Sequence, residues 1–226
     1  MPLLEIQQLK KIYRTPDGET LTVLDVPKFV LEAKQQLALR GASGSGKTTF
    51  LNCIAGILRP DAGSVRLNGK DIAAVSEGQR DSIRAKNIGY IFQTFNLLQG
   101  YTCLENVLLG MSFGPGANRA HAREMLERVG LGDRLEYRPG QLSVGQQQRV
   151  AVARALANQP KLVLADEPTG NLDPKNARAA IQLVREICEE NGAALLLVSH
   201  DPAALEQFDD CADLAEINHA AQEVAA

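Results

Sequence analysis

The sequence predicts an α/β fold in which short buried strands alternate with helices, and three observations point to it. Leu162-Val163-Leu164-Ala165 and Leu195-Leu196-Leu197-Val198 are short, wholly apolar runs, as expected of strands covered on both faces of a parallel sheet. Each run ends in polar residues, Asp166-Glu167 and Ser199-His200, at the strand end where open α/β sheets place their ligands. Gln36-Leu37-Ala38-Leu39 reads as a further buried strand, and a glycine-rich segment leads from it into a helix over 48–58. A chain of 226 residues fits one such domain with a large core, or one domain carrying an inserted subdomain.

Taken in order, residues 1–92 mix strands and turns. Asn68-Gly69, between Ser64-Val65-Arg66-Leu67 and its return, is a hairpin signal, so an antiparallel β region accompanies the core sheet. Gly41-Ala42-Ser43-Gly44-Ser45-Gly46-Lys47-Thr48 matches the phosphate-binding loop pattern and lies between strand and helix, where that loop must lie. Its three glycines let the backbone wrap a pyrophosphate and aim N–H groups at it, with the positive end of the helix behind. Lys47 would reach the outer phosphates and the Thr48 hydroxyl would hold Mg²⁺. A plain Gly/Ser turn does not explain Lys-Thr at this offset.

Ile88-Gly89-Tyr90-Ile91-Phe92 reads as a strand ended by Gln93, and β character is then lost from 94 to 157. Asn118 to Val129 carries Ala122, Met125, Leu126 and Val129 at helical spacing, and Gly114-Pro115-Gly116 and Arg138-Pro139-Gly140 punctuate the region. This stretch is expected to be a helical subdomain inserted into a core formed by about 1–93 and 158–226. Ser143 followed by Gln146 is a capping box opening a helix to about Asn158. That is an ordinary helix start and, equally, an anion site, and the two readings are compatible. Asp173-Pro174 starts a helix with Ala177, Ala180, Ile181, Val184, Ile187 and Cys188 on one face. Leu214-Ala215-Glu216-Ile217-Asn218 reads as a C-terminal strand, and 220–226 as a frayed tail.

The composition, 45% hydrophobic and 23% charged, is that of an ordinary soluble globular protein. No stretch approaches the roughly 18 apolar residues that span a membrane, and Met1-Pro2-Leu3-Leu4-Glu5 is no signal peptide, so a cytoplasmic place is expected. Cys53, Cys103, Cys188 and Cys211 lack C-x-x-C spacing and read as free, buried thiols in a reducing compartment. A net charge of −3 offers no footprint for nucleic acid. His121 and His219 have no context that assigns them a role.

In their order, the phosphate loop, Leu142-Ser143-Val144-Gly145-Gln146, Leu162-Val163-Leu164-Ala165-Asp166-Glu167 and His200 resemble the motifs of ATP-binding cassette (ABC) ATPases from about residue 3 to residue 215. The resemblance implies a P-loop NTPase with ATP held by Gly41, Ser43, Gly44, Ser45, Gly46, Lys47, Thr48 and Thr49, and Tyr13 stacked on adenine. An aromatic beside an early strand is also often simple packing. It further implies Mg²⁺ ligation by Thr48, Asp166 and Gln93, catalysis by Glu167 and His200 with Lys47, and contacts from Ser143, Gly145, Gln146 and Asp173 to the nucleotide of a partner subunit. Val144 stands where Gly is commoner, and Glu32-Ala33-Lys34-Gln35-Gln36 replaces a Gly-Glu turn.

Phe92-Gln93-Thr94-Phe95-Asn96-Leu97-Leu98, Leu104-Glu105-Asn106-Val107 and the Asp166–Asp173 segment are similar to one branch, that of lipoprotein-releasing, macrolide-export and cell-division ATPases. That likeness implies a homodimer sandwiching two ATP, peripheral on the inner face of the cell membrane. It also implies an integral membrane permease docked near Gln93–Leu98, where Phe95, Leu97 and Leu98 are expected near the surface, or else tucked under the helical subdomain. The ATPase would drive extrusion of lipoprotein, drug, peptide or lipid, or transmit force. The alternative is a mechanical or signalling ATPase that regulates an envelope enzyme without transport. A DNA-repair or translation ABC protein would need a duplicated cassette or a long coiled coil, and neither is present.

Overall fold

The computed structural model describes residues 2–220, and the tail expected over 220–226 lies, from 221 on, outside them. Two sheets share the strands. Strands β1 (Leu4–Arg14), β2 (Thr20–Leu31), β4 (Ala62–Leu67) and β5 (Lys70–Asp71) form an antiparallel sheet in the order β2-β1-β4-β5. Asn68 (φ 50°) and Gly69 (φ 75°) make the tight turn between β4 and β5, the left-handed pair that matches strand twist. Strands β3 (Gln36–Arg40), β6 (Ile88–Ile91), β7 (Leu162–Asp166), β8 (Ala194–Ser199) and β9 (Asp210–Asp213) form a sheet ordered β6-β7-β8-β3-β9, every pairing parallel.

The apolar runs of β7 and β8 are buried throughout because both faces are covered. Alternate residues feed two cores. Leu162, Leu164, Leu196 and Val198 pack with Phe50, Leu51 and Ile54 of helix α1 (Lys47–Ile54) and with Leu4, Ile6 and Leu24 of the antiparallel sheet. Val163, Ala165, Leu195 and Leu197 face the other core, built on α3 (Cys103–Ser112), α4 (Arg119–Arg128), α5 (Val144–Leu156) and α6 (Pro174–Glu190). The apolar face expected for α6 is the buried one. Helix α2 (Glu77–Asn87) buries no residue and stands on its Ser76–Gln79 capping box.

Three expectations are corrected. The first helix stops at Ile54 rather than Leu58, because Gly56 turns left-handed (φ 66°) and the Ile57 and Leu58 N–H groups fold back on the Asn52 carbonyl. The C-terminal strand is Asp210–Asp213, not 214–218. The Asp213 carboxylate accepts the Ala215 N–H and starts a short helical turn, α8 (Leu214–Ile217), after the equally short α7 (Pro202–Leu205). Cys53, Cys103 and Cys188 are buried and free, but Cys211, on edge strand β9, is exposed.

Candidate active site

The parallel register brings three strand ends together. Asp166 lies opposite Val198 and Arg40 opposite Ser199, so Gly41, Glu167 and Ser199–His200 emerge side by side. Backbone bonds fix the row: Glu167 N–H donates to Val198 O (3.0 Å) and Gly41 N–H to Ser199 O (3.3 Å). Here, at the carboxyl edge of an open sheet, a cleft of about 390 Å³ is lined by Ser43, Gly44, Gly46, Lys47, Thr48, Thr49, Gln93, Glu167 and His200, with Val23 from β2.

The phosphate loop is shaped by lack of side chains at two points. A Cβ on Gly41 would lie 2.7 Å from Ser45 Oγ, and one on Gly46 would lie 3.1 Å from Val23 O at a φ of 91°. Gly46 caps α1, so the cleft faces a helix N-terminus. Lys47 is buried, and its Nζ donates to Gly41 O (2.7 Å) and Ala42 O (2.9 Å) and pairs with Glu167 Oε1 (3.1 Å).

The two carboxylates after β7 have opposite surroundings. Burial raises the Asp166 pKa above the ordinary carboxylate value and the Glu167 charge adds to it, against the Thr48 hydrogen bond and Lys47. Its Oδ1 is buried with no hydrogen-bond partner. Burial also pushes Glu167 up, but hydrogen bonds from His200, Ser199 and Lys47 outweigh that and leave its pKa below the ordinary value. Glu167 Oε1 meets His200 Nδ1 at 2.7 Å, and Oε2 accepts Ser199 Oγ (2.9 Å) and the His200 N–H (3.3 Å). Because an ionised carboxylate only accepts, the His200 proton sits on Nδ1. The carboxylate is thus held by four donors on a residue at a left-handed φ of 43°.

Other residues singled out in the sequence lie away from the cleft lining. Tyr13, on β1 opposite Leu21, is half-exposed with the Lys11 amine 5.5 Å from its ring centre. Ser143 caps α5, its Oγ accepting the Gln146 N–H (3.3 Å) while Gln146 Oε1 accepts the Ser143 N–H (3.0 Å). The nearest atoms to a Cβ on Gly145 would be those of Asn176 and Leu172, so this helix start faces the 171–176 turn. Asp173 caps α6 through the Asn176 N–H. Asn171 Nδ2 donates to Gln93 O (2.9 Å), tying that turn to the loop after β6.

Of the two readings of the 94–98 loop, burial under the helical subdomain holds for Phe95 and Leu97 and surface placement for Leu98. Phe95 and Leu97 are buried in the helical core, and of the three large apolar side chains Leu98 alone is exposed. Phe95 (φ 58°) and Asn96 (φ 49°) are consecutive left-handed residues, and the Arg154 guanidinium of α5 donates to both carbonyls at 2.6 Å. Asn106, fully buried, accepts Leu98 N–H and donates to the carbonyls of Leu98, Tyr101 and Thr102. The sequence reading gave Arg154, Asn106 and Ser199 no role of their own. A lone polar residue inside an apolar helix stripe or at the end of an apolar strand is the signal that would have found the last two. A larger cleft of about 750 Å³ near Pro115, His121 and Asn158 shares no residue with this site.

Comparison with known proteins agrees with this geometry. The family model "ABC transporter" matches residues 24–170. The lipoprotein-releasing system ATP-binding protein LolD of Shewanella oneidensis is 44% identical over 211 residues, covering 92% of this chain and 91% of that protein. The macrolide export ATP-binding/permease protein MacB of Syntrophobacter fumaroxidans is 41% identical over 213 residues, which are 90% of this chain and 29% of that longer protein. Among solved structures, the ATP-binding cassette MJ0796, dimeric in a post-hydrolysis state with ADP and Pi, superposes with a TM-score of 0.85 at 34% identity over 93% of each chain.

Proposed function

This chain belongs to the ABC transporter family as an ATP-binding, ATP-hydrolysing subunit of the lipoprotein-releasing and macrolide-export type, and from that premise we propose that two copies close head to tail on two ATP molecules and drive an integral membrane permease. The cargo on this reading is a lipoprotein, drug, peptide or lipid, or else force alone. The dimeric MJ0796 cassette supports the pairing, and the named relatives support the membrane partner. Among the described residues no helix is long and apolar enough to cross a membrane, which fits a peripheral subunit on the cytoplasmic face. The chain is one ABC domain, with 94–157 as its helical subdomain.

In each site the loop Gly41–Thr49 wraps the phosphates, Lys47 neutralises the outer ones, and Tyr13 supports the adenine. Glu167 accepts the proton of the attacking water, and His200 orients toward the γ-phosphate. Ser143, Gly145, Gln146 and Asp173 reach the nucleotide of the other subunit, a reading the dimeric MJ0796 cassette supports. Thr48, Asp166 and Gln93 would hold Mg²⁺, and the unpaired Oδ1 of buried Asp166 is the observation that fits a hard cation there. Bound there, Mg²⁺ would neutralise charge developing between the outer phosphates. Leu98 and Tyr101, the exposed apolar residues beside the Gln93 loop, are the permease contact.

The cluster of Lys47, Glu167 and His200 around one carboxylate carries this reading. Glu167→Gln should bind ATP yet hydrolyse it about 10²–10⁴-fold more slowly, and should run as a dimer on size exclusion in Mg-ATP. Lys47→Ala should lose nucleotide affinity as a monomer, whereas Ser143→Arg should lose only the dimer. Wild-type turnover by Glu167→Gln would sink the catalytic assignment. Equal loss of monomer binding in the other two would sink the head-to-tail site.

A further inference from the structure

We propose that Ser199 is the positioning residue for Glu167, anchoring one carboxylate oxygen so that the other can turn to the attacking water. The inference rests on the reading of Glu167 as the group that accepts the water proton.

The Ser199 hydroxyl is fully buried at the end of β8, on an otherwise apolar strand. A buried hydroxyl must be satisfied, and this one is committed in both directions. It accepts the Asp201 N–H at 3.1 Å, which leaves its single proton for Glu167 Oε2 at 2.9 Å. Its carbonyl accepts the Gly41 N–H, so the same residue is fixed to the start of the phosphate loop.

The four donors to Glu167 divide by oxygen. Oε1 takes the Lys47 ammonium and the His200 imidazole, both side chains that line the cleft and can turn to phosphate. Oε2 takes the Ser199 hydroxyl and, at 3.3 Å, the His200 backbone N–H, neither of which can leave. Glu167 is not held by its backbone preference, because its left-handed φ of 43° is unfavourable for a residue with a Cβ. When Lys47 and His200 engage phosphate, Ser199 is therefore the one side chain still fixing the carboxylate. A base misplaced by a fraction of its hydrogen-bond length loses rate rather than substrate affinity.

The test uses the full chain and an isosteric pair. Ser199→Val keeps the branched shape of Ser199→Thr but lacks the hydroxyl. Ser199→Val should lower kcat by about ten- to a hundredfold, the value of one hydrogen bond to a charged group. Its ATP affinity by calorimetry should stay within about twofold, while Ser199→Thr should stay within about threefold of wild type in both. In the Glu167→Gln background, Ser199→Val should add no further loss, as expected when one residue acts through the other. Should the extra carbons of both variants disturb folding, seen as lost ATP binding, Ser199→Ala replaces them and must show the same fall in kcat. Wild-type kcat in Ser199→Val or Ser199→Ala, with Glu167→Gln inactive, overturns the inference alone. A full additional loss in the Glu167→Gln background would make Ser199 structural. Wild-type turnover by Glu167→Gln would instead overturn the reading beneath it.

Discussion

Asp166→Asn should make the protein more stable in the absence of metal and nucleotide while abolishing Mg²⁺-dependent hydrolysis. The Asp166 side chain is 5% exposed, its Oδ1 has no partner, and the Glu167 carboxylate adjoins it. Asparagine keeps the shape and an oxygen for the Thr48 hydroxyl, but removes the buried charge. The asparagine amide at the Oδ1 position is unpartnered too, so the gain is the extra cost of an unpaired charge over an unpaired neutral group, about 1–3 kcal/mol, and in a chain of this size each kcal/mol moves the melting temperature by about 2–4 °C. A rise of about 2–12 °C is expected by calorimetry in EDTA near neutral pH. The raised folded-state pKa sets the pH dependence. Folding with Asp166 protonated is favoured below the ordinary carboxylate pKa, and that advantage disappears as pH rises through the folded value. The gap between mutant and wild type should therefore close in acid and open toward neutrality. Mg-ATP should narrow or reverse the difference, because it stabilises more the chain that keeps every ligand for the ion. An Asp166→Asn protein less stable than wild type in EDTA would refute the reasoning.

Arg154→Met removes two charge-assisted hydrogen bonds that hold the left-handed Phe95–Asn96 pair, so urea unfolding should show a loss of about 2–4 kcal/mol, and a loss under about 1 kcal/mol would mean the loop holds itself. Gly110→Ala should also be destabilising in urea, since its Cβ would lie 2.8 Å from Arg154 Cγ and displace the side chain whose guanidinium holds the pair, and a stability equal to wild type would mean that Arg154 shifts freely. Lys34 sits at φ 65° in the turn before β3, so Lys34→Gly should gain about 0.5–1 kcal/mol in urea, and no gain would place the strain elsewhere. Only exposed Cys211 should react quickly with a thiol reagent in the native protein. Burial pushes Cys53 up to about 11 and Cys188 up to about 12 and raises Cys103, and a second fast thiol would contradict that.

The phosphate loop, the strands β3, β7 and β8, and the starts of α5 and α6 were legible because each obeys a local rule: an offset, an apolar run, a cap. Helix α2 obeys one too, its Ser76–Gln79 box, but it packs on the core through a single large apolar side chain, half-buried Ile83, and so leaves no periodic stripe to read. Strand β9 lacks an apolar pattern because it is the half-exposed edge of the sheet, whereas the apolar Leu214–Ile217 is turned helical by the Asp213 cap. The inward turn of Phe95 and Leu97 could not be read locally, since Arg154 imposes it from 58 residues away. Of the cleft, the sequence motifs picked out Lys47, Thr48, Gln93, Glu167 and His200, but not the hydrogen bonds that join Lys47, Glu167 and His200. A left-handed φ does not by itself mark function: at Asn68 it is hairpin chemistry, and at Lys34 it is only a missing glycine. At Glu167 it coincides with four donors on one buried carboxylate, and beside it Asp166 carries an oxygen with none. A fold selected for stability alone would share those donors between the two acids. Concentrating them on one leaves the other with an unpaired oxygen, the asymmetry on which the proposed division between a proton acceptor and a metal ligand rests.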